Sequence, residues 1–224
     1  MRQVPIAVLA SGRGSNLQAL LDDLGSDGAP GRVVLVASNR PEAGALARAR
    51  EAGIRAQVLP DDGQDAAALS AALTAASAQL VVLAGYLKKV PDQVVADWRG
   101  RMLNVHPALL PAFGGPGMYG RRTHEAVLKS GARLSGVSVH LVDEQYDHGA
   151  ILAQWPVPVR PGDTVDDLAA RVLAIEHRLL PAVVRVVCRR LLAGAPVTPL
   201  CTAADAFILA ASPETRLDAA LVAS

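Results

Sequence analysis

The sequence has almost no net charge. Its 224 residues carry 22 Lys and Arg against 21 Asp and Glu, a formal charge of +1, so it lacks the broad positive field that a polynucleotide partner requires. Cysteine is nearly absent: Cys188 and Cys201 stand alone, too few for a metal cluster or a secreted disulfide scaffold, and they fit a reducing compartment. No apolar stretch reaches the roughly 20 residues that span a bilayer, and Arg2, Gln3, Val4 and Pro5 lead into a short strand pattern without a signal-peptide core or cleavage site. The histidines and acids show no H-E-x-x-H spacing and there is no Cys-x-x-Cys, so no metal is expected. No G-x-S-x-G elbow is present, which weighs against a covalent serine mechanism. These absences predict a soluble cytoplasmic protein, monomer or homodimer, with no nucleic-acid, membrane or metal partner.

What is there is apolar: hydrophobic residues make up 51%. A chain of this length buries roughly 70% of the surface its unfolded form exposes, enough for a substantial core, which excludes a disordered or fibrous protein. Short β-branched runs alternate with Ala- and Leu-rich helical stretches. Strands are predicted at 4–10, 33–37, 56–59, 80–84 and 102–105, with helices at 15–24, 41–52 and 65–76. The fold class is therefore α/β: one domain, a mostly parallel twisted sheet with helices on both faces and a Rossmann-like N-terminal half. After Val105 the texture turns to Pro and Gly over 106–120, a loop of a length that is usually functional. A short helix at 123–130, strands at 137–142 and 150–156 and a long helix at 165–193 follow. The segment 194–224 is Ala-rich with weak periodicity, predicted to lie on the surface or fray.

Three segments could carry chemistry. Ser11, Gly12, Arg13, Gly14, Ser15 and Asn16 follow a strand and open a helix, where glycines admit close approach and free N–H groups suit a phosphate. The dinucleotide fingerprint is incomplete, because Leu17 holds the third glycine position and the second strand ends in Ser38, Asn39 and Arg40 without an acid. The bland reading is a tight turn at Gly14 with Ser15 or Asn16 capping the helix. Asn104 and His106 alternate onto one side of a strand end, and Pro107 keeps His106 extended, so two hydrogen-bonding side chains enter one space. The third segment, 143–149, is a polar loop between two strands. A carboxylate from it beside His106 would favour the imidazolium and raise its pKa above about 6.5; alone, it reads as a solvated acidic turn. His124 and His177 fall on helices with surface or supporting roles by default, and His140 and Ser138 share one strand face with no role decided. An NADP-dependent oxidoreductase using Gly12, Gly14 and Arg40, and a noncatalytic phosphosugar-binding domain, both remain open on these residues.

Taken together, VLASGRGSNLQALL, VVLAGYLKKV, MLNVHPALLPAF and GVSVHLVDEQYDHGAILAQ resemble the folate-dependent glycinamide ribonucleotide formyltransferase family over about residues 4–193. HPALLP with the later D-x-G is shared with other formyltetrahydrofolate enzymes, and GSN points to the ribonucleotide enzymes. The resemblance implies a formyltransferase fold over 1–193, with a phosphate-binding half at about 1–100, a folate and catalytic half at about 101–193, and a C-terminal extension at 194–224. It implies transfer of the formyl group of 10-formyltetrahydrofolate, as co-substrate, to the amine of glycinamide ribonucleotide in purine biosynthesis. Asn104, His106 and Asp147 match the catalytic trio. Gly14, Ser15 and Asn16 match the phosphate loop, and Glu176 the carboxylate that holds the ribose. Leu87, Lys88, Lys89 and Val90, with Asp143, Glu144 and Asp147, match the segments around the pterin. The chain departs from the family in having Lys88 where Arg is common, nothing basic between Arg55 and Lys88, and a longer GGPGMYG stretch.

Overall fold

The computed structural model describes residues 2–200. Seven strands form one sheet in the order β3-β2-β1-β4-β5-β6-β7. The first five are β1 (Val4–Leu9), β2 (Gly31–Ser38), β3 (Arg55–Val58), β4 (Leu80–Leu83) and β5 (Met102–His106), all parallel. β6 (Leu134–Leu141) and β7 (Ile151–Pro158) continue the sheet antiparallel. Among the described residues six α-helices are α1 (Ser15–Leu24), α2 (Gly44–Glu51), α3 (Ala66–Ala75), α4 (Asp92–Asp97), α5 (Arg121–Ser130) and α6 (Val165–Leu192), and one 3-10 turn spans Asp61–Gly63.

Parallel strands must be covered on both faces, and the period-2 alternation of β1 shows how. Ile6 and Val8 join an apolar layer with Leu17 and Leu20 of α1, Leu46 of α2 and Leu180 and Val184 of α6. Ala7 and Leu9, between them, join Leu69 and Leu73 of α3 and Val94 and Val95 of α4 on the other face. The chain winds outward from β1 to β3 and then restarts beside β1 at β4. That reversal leaves a crevice beyond the carboxyl ends of the strands, where ligands bind in open α/β sheets.

The sequence reading omitted α4. Its six residues are too few for a helical period, and only burial of Val94 and Val95 declares it. α5 starts at Arg121 and β6 at Leu134, earlier than the sequence pattern suggested. α6 opens with a capping box in which Thr164 and Asp167 each serve the other's backbone, a geometry that offsets the unpaired N–H groups of a helix start. Leu200 is buried, with its N–H bonded to Leu152 O at 2.8 Å, so the chain after α6 packs beside β7 as far as that residue. Residues 201–224 of the predicted extension, Cys201 included, lie outside the described residues. Among the described residues no helix is long and apolar enough to cross a membrane.

Candidate active site

The turn after β1 is shaped by its packing on α2. Gly14 has φ 77°, and a Cβ there would lie 2.7 Å from Ala45 Cα, so glycine is required both by conformation and by the close approach of the helix. Ala45 N–H donates to Gly12 O at 3.1 Å and Arg48 Nε to Arg13 O at 3.0 Å. No side chain caps α1. Ser15 and Asn16 therefore do not serve as helix caps, and the first-turn N–H groups stay available to an anion.

Asn16 reaches across to α6, where its Nδ2 donates to Glu176 Oε2 at 2.6 Å. Burial pushes the Glu176 carboxyl up to about 7, against the lowering effect of the Asn16 amide. Asn16 Oδ1 is buried without a partner.

The second cluster forms where β5 meets β6. The register sets Asn104 opposite His140 and His106 opposite Ser138. Asn104 Nδ2 lies 3.0 Å from His140 Nε2 and 3.4 Å from Asp147 Oδ1. His140 Nδ1 donates to Leu141 O at 2.8 Å, so its Nε2 is the acceptor for Asn104. His106 Nε2 donates to Phe113 O at 2.8 Å, and its Nδ1 faces Asp147 Oδ2 at 3.5 Å. Asp147 Oδ2 also accepts from Gly115 N–H at 3.0 Å. Asp147 has φ 54°, a left-handed conformation that Asp tolerates better than most residues.

The charge states depart from the sequence expectation. His106 sits below its ordinary pKa: burial lowers it most, outweighing the raising effects of Asp147 and the Phe113 carbonyl, and His140 lowers it further. The imidazole is thus neutral near pH 7 in the substrate-free protein, where sequence reasoning expected a raised value; that reasoning weighed the carboxylate and omitted desolvation. Burial also acts on Asp147, in the raising direction, but the His140 imidazole 3.7 Å away, the charge of His106 and the Gly115 N–H hold it below the usual carboxylate range.

A third wall comes from the loop after β4. Ser11 Oγ donates to Asn39 Oδ1 at 2.6 Å and accepts from Leu87 N–H at 2.9 Å, while Asn39 Nδ2 donates to Asp62 Oδ1 at 2.7 Å. Asp62 in turn pairs with Lys88, and Lys89 Nζ lies 2.6 Å from Asp92 Oδ1. Gln64 Nε2 holds Lys89 O at 3.1 Å. A polar chain, buried at Ser11 and Asn39 and open to solvent at Asp62 and Lys88, thus ties the ends of β1, β2 and β4 to residues 87–90.

All three regions open into one cleft of about 600 Å³. It brings together Ser15, Asn16 and Glu176, the trio Asn104, His106 and Asp147, and Leu87, Lys88, Lys89, Val90 and Asp143. Leu83, Val90, Val95 and Val142 give it an apolar side. Two expected site residues are not brought into it. Gly14 is absent from the lining because it faces α2. Glu144 is turned outward and pairs with Arg99. Asp143 lines the cleft, but its carboxylate is taken by His148 Nδ1 at 2.7 Å, which leaves Asp147 as the partner of His106.

Sequence reasoning passed over His124 as a helix residue. It is buried, lines the cleft and keeps Nδ1 without a partner; burial, then the charge of His106, lowers its pKa. Ser138 and Gln154 were also missed as supports. Ser138 Oγ donates to Ala108 O at 2.7 Å and accepts from Leu110 N–H at 3.0 Å and Gln154 Nε2 at 2.8 Å. The signal was the strand alternation that puts Ser138 and His140 on one face, but only the β5–β6 register says which residues they oppose.

The formyl transferase family matches residues 4–184. The chain is 44% identical over 193 residues to the chloroplastic phosphoribosylglycinamide formyltransferase of Arabidopsis thaliana, a match covering 84% of this chain and 66% of the relative. It is 39% identical over 184 residues to phosphoribosylglycinamide formyltransferase of Escherichia coli K12, covering 80% of this chain and 84% of that one. The chain thus spans just under two thirds of the plant relative's length. The crystal structure of glycinamide ribonucleotide transformylase 1 from Symbiobacterium toebii superposes with a TM-score of 0.78 at 40% identity, covering 84% of this chain and 88% of that one. A match that runs from β1 into α6 takes in every segment that builds the cleft, and it leads to one conclusion: the chain belongs to the formyl transferase family.

Proposed function

We propose that the protein is a cytoplasmic phosphoribosylglycinamide formyltransferase. It transfers the formyl group of 10-formyltetrahydrofolate to the primary amine of glycinamide ribonucleotide, giving formylglycinamide ribonucleotide and tetrahydrofolate in purine biosynthesis. One observation carries this reading: an uncapped helix start suited to a phosphate, a hydrogen-bonding trio, and a slot with an apolar wall share one cleft. The printed names of the Arabidopsis and E. coli relatives support it.

In this reading the first-turn N–H groups at Ser15 and Asn16 receive the phosphate, and Glu176 with the unpartnered Asn16 Oδ1 receives ribose hydroxyls. The pterin lies between residues 87–90 and 143–147, against Leu83, Val90 and Val95.

The substrate amine bonds to the formyl carbon, the bond from that carbon to N10 breaks, and one proton passes from the amine to N10. No enzyme nucleophile enters. Negative charge collects on the formyl oxygen, and Asn104 supplies an N–H to it; the 3.4 Å contact to Asp147 is the longer of its two, so that N–H is the one released. His106 is neutral at rest with Nδ1 unprotonated, because Nε2 carries the proton given to Phe113 O. A proton leaving the amine can rest on Nδ1, where Asp147 stabilises the imidazolium, which in turn supports the oxyanion until N10 is protonated.

The test is direct. Purified protein given glycinamide ribonucleotide and 10-formyltetrahydrofolate should yield the formylated ribonucleotide by mass spectrometry with equimolar tetrahydrofolate. Formate release without formylated product would assign a hydrolase instead, and thermal stabilisation by NADPH but not by folate would assign an oxidoreductase.

A further inference from the structure

We propose that Asp62 determines how strongly the cleft binds anionic folates, by neutralising Lys88, which would otherwise receive one of their carboxylates. This inference rests on the folate reading above. Among the described residues, four cations line the cleft: Arg13, Lys88, Lys89 and Arg121. Arg13 belongs to the phosphate loop, and Arg121 is engaged by Glu125 and Asp166 on the helix side. The folate wall therefore offers Lys88 and Lys89, and each already faces an aspartate.

The two pairs differ in construction. Lys89 meets Asp92 one helical turn away, two exposed side chains on neighbouring backbone. Asp62 is fixed from behind: Asn39 Nδ2 donates to its Oδ1, and Asn39 is itself anchored to Ser11 deep in the sheet. Its other oxygen is thereby aimed at Lys88, and the charge of Arg40 also acts on it. Asp62 has φ 51°, so the buried Ser11–Asn39 pair holds an exposed acid in a conformation most residues avoid. The result is that the charge of Lys88, one of the two cations on the folate wall, is offset by one carboxylate held in place from behind. A folate bearing additional γ-linked glutamates must compete with Asp62 for Lys88, and the chain gains little from the longer tail.

Asp62→Asn isolates the charge. Asn accepts the same bond from Asn39 and suits the left-handed conformation. The measurement is the ratio of kcat/KM for polyglutamyl over monoglutamyl 10-formyltetrahydrofolate, with the same ratio of dissociation constants for the unformylated folates by calorimetry. The wild-type ratio should stay near unity and that of Asp62→Asn should rise about threefold at low ionic strength, as freed surface charges allow, with the gain shrinking in salt. Asp62→Gly, also at home at positive φ, should behave alike, and adding Lys88→Met should erase the gain. A strong polyglutamate preference in the wild type, or an unchanged ratio in both folded variants, overturns the inference. Wild-type protein that binds folates but transfers no formyl group defeats the proposed function instead, and the calorimetric ratio still decides the role of Asp62.

Discussion

His106 Nδ1 lies 3.5 Å from Asp147 Oδ2, with the side chains 3% and 10% exposed, yet the imidazole sits below its ordinary pKa. The carboxylate is close enough to pull that value up, and burial pulls it down further. Asp147→Asn keeps the shape and removes only the upward pull, so His106 should titrate lower still by NMR. kcat should fall about a hundredfold or more if the pair handles the proton, while ribonucleotide binding changes little. Adding His106→Ala should cost little beyond Asp147→Asn, because residues that act as a unit are not additive. An unmoved His106 titration, or additive losses, would remove Asp147 from that role.

Gly14 tests packing against binding. The resemblance places Gly14 in the phosphate loop, where a substitution would act on KM for the ribonucleotide. In the fold its Cβ would meet the backbone of α2 at 2.7 Å while φ is 77°. Gly14→Ala should therefore lower Tm by several degrees, the response to a strained contact of about 1–3 kcal/mol. A normal Tm with a selective rise in KM for the ribonucleotide would restore the binding role.

The elements that sequence showed well are those whose signal is local. β1, α1 and α6 announce themselves by an apolar period and a Gly or Thr at the boundary, and the trio followed from resemblance. What stayed hidden is long-range. Nothing local says that Asn104 faces His140 across the β5–β6 register, that Asp62 is tied to Ser11 through Asn39, or that Glu144 turns away while Asp147 turns in. The His106 error has the same root. Spacing proposes a charge partner, but the depth of burial that decides the sign is a property of the whole packed crevice.

Glu176 should leave a pH signature in stability. Its carboxyl titrates near 7 in the folded protein against an ordinary 4.5. Between those values the folded chain keeps a proton that the unfolded chain releases, so this group's contribution is full below pH 4.5 and is lost as pH rises to about 7. His106, His124 and His177, all lowered by burial, act with the opposite sign as pH falls below their ordinary values. The comparison that isolates Glu176 is thus wild type against Glu176→Gln, by urea denaturation from about pH 5 to 8. The variant should gain relative to wild type across that window, by an amount on the order of 3 kcal/mol for full ionisation, and KM for the ribonucleotide should rise about tenfold. A constant difference at every pH would show that Glu176 is already ionised in the fold at low pH.

Ser138 carries the last prediction. Its hydroxyl has one proton and two lone pairs, and all are used, on Ala108 O, Leu110 N–H and Gln154 Nε2. It therefore fixes Ala108 and Leu110, in the segment that follows His106 and Pro107, from the strand position directly opposite His106. Ser138→Ala strands two donors and one acceptor in a buried site, a loss of about 1–3 kcal/mol readable as a lower urea midpoint. Because the freed backbone carries the imbalance into the segment that orients His106, kcat should fall at least about tenfold, the scale expected when a catalytic group is misplaced, with KM for either substrate moving less. Gln154→Leu removes only one of the three bonds to that hydroxyl, and kcat should fall less than in Ser138→Ala. Variants that lose stability with kcat intact would make this hub a support of the fold alone, leaving Phe113 O and Asp147 as the contacts that orient the imidazole.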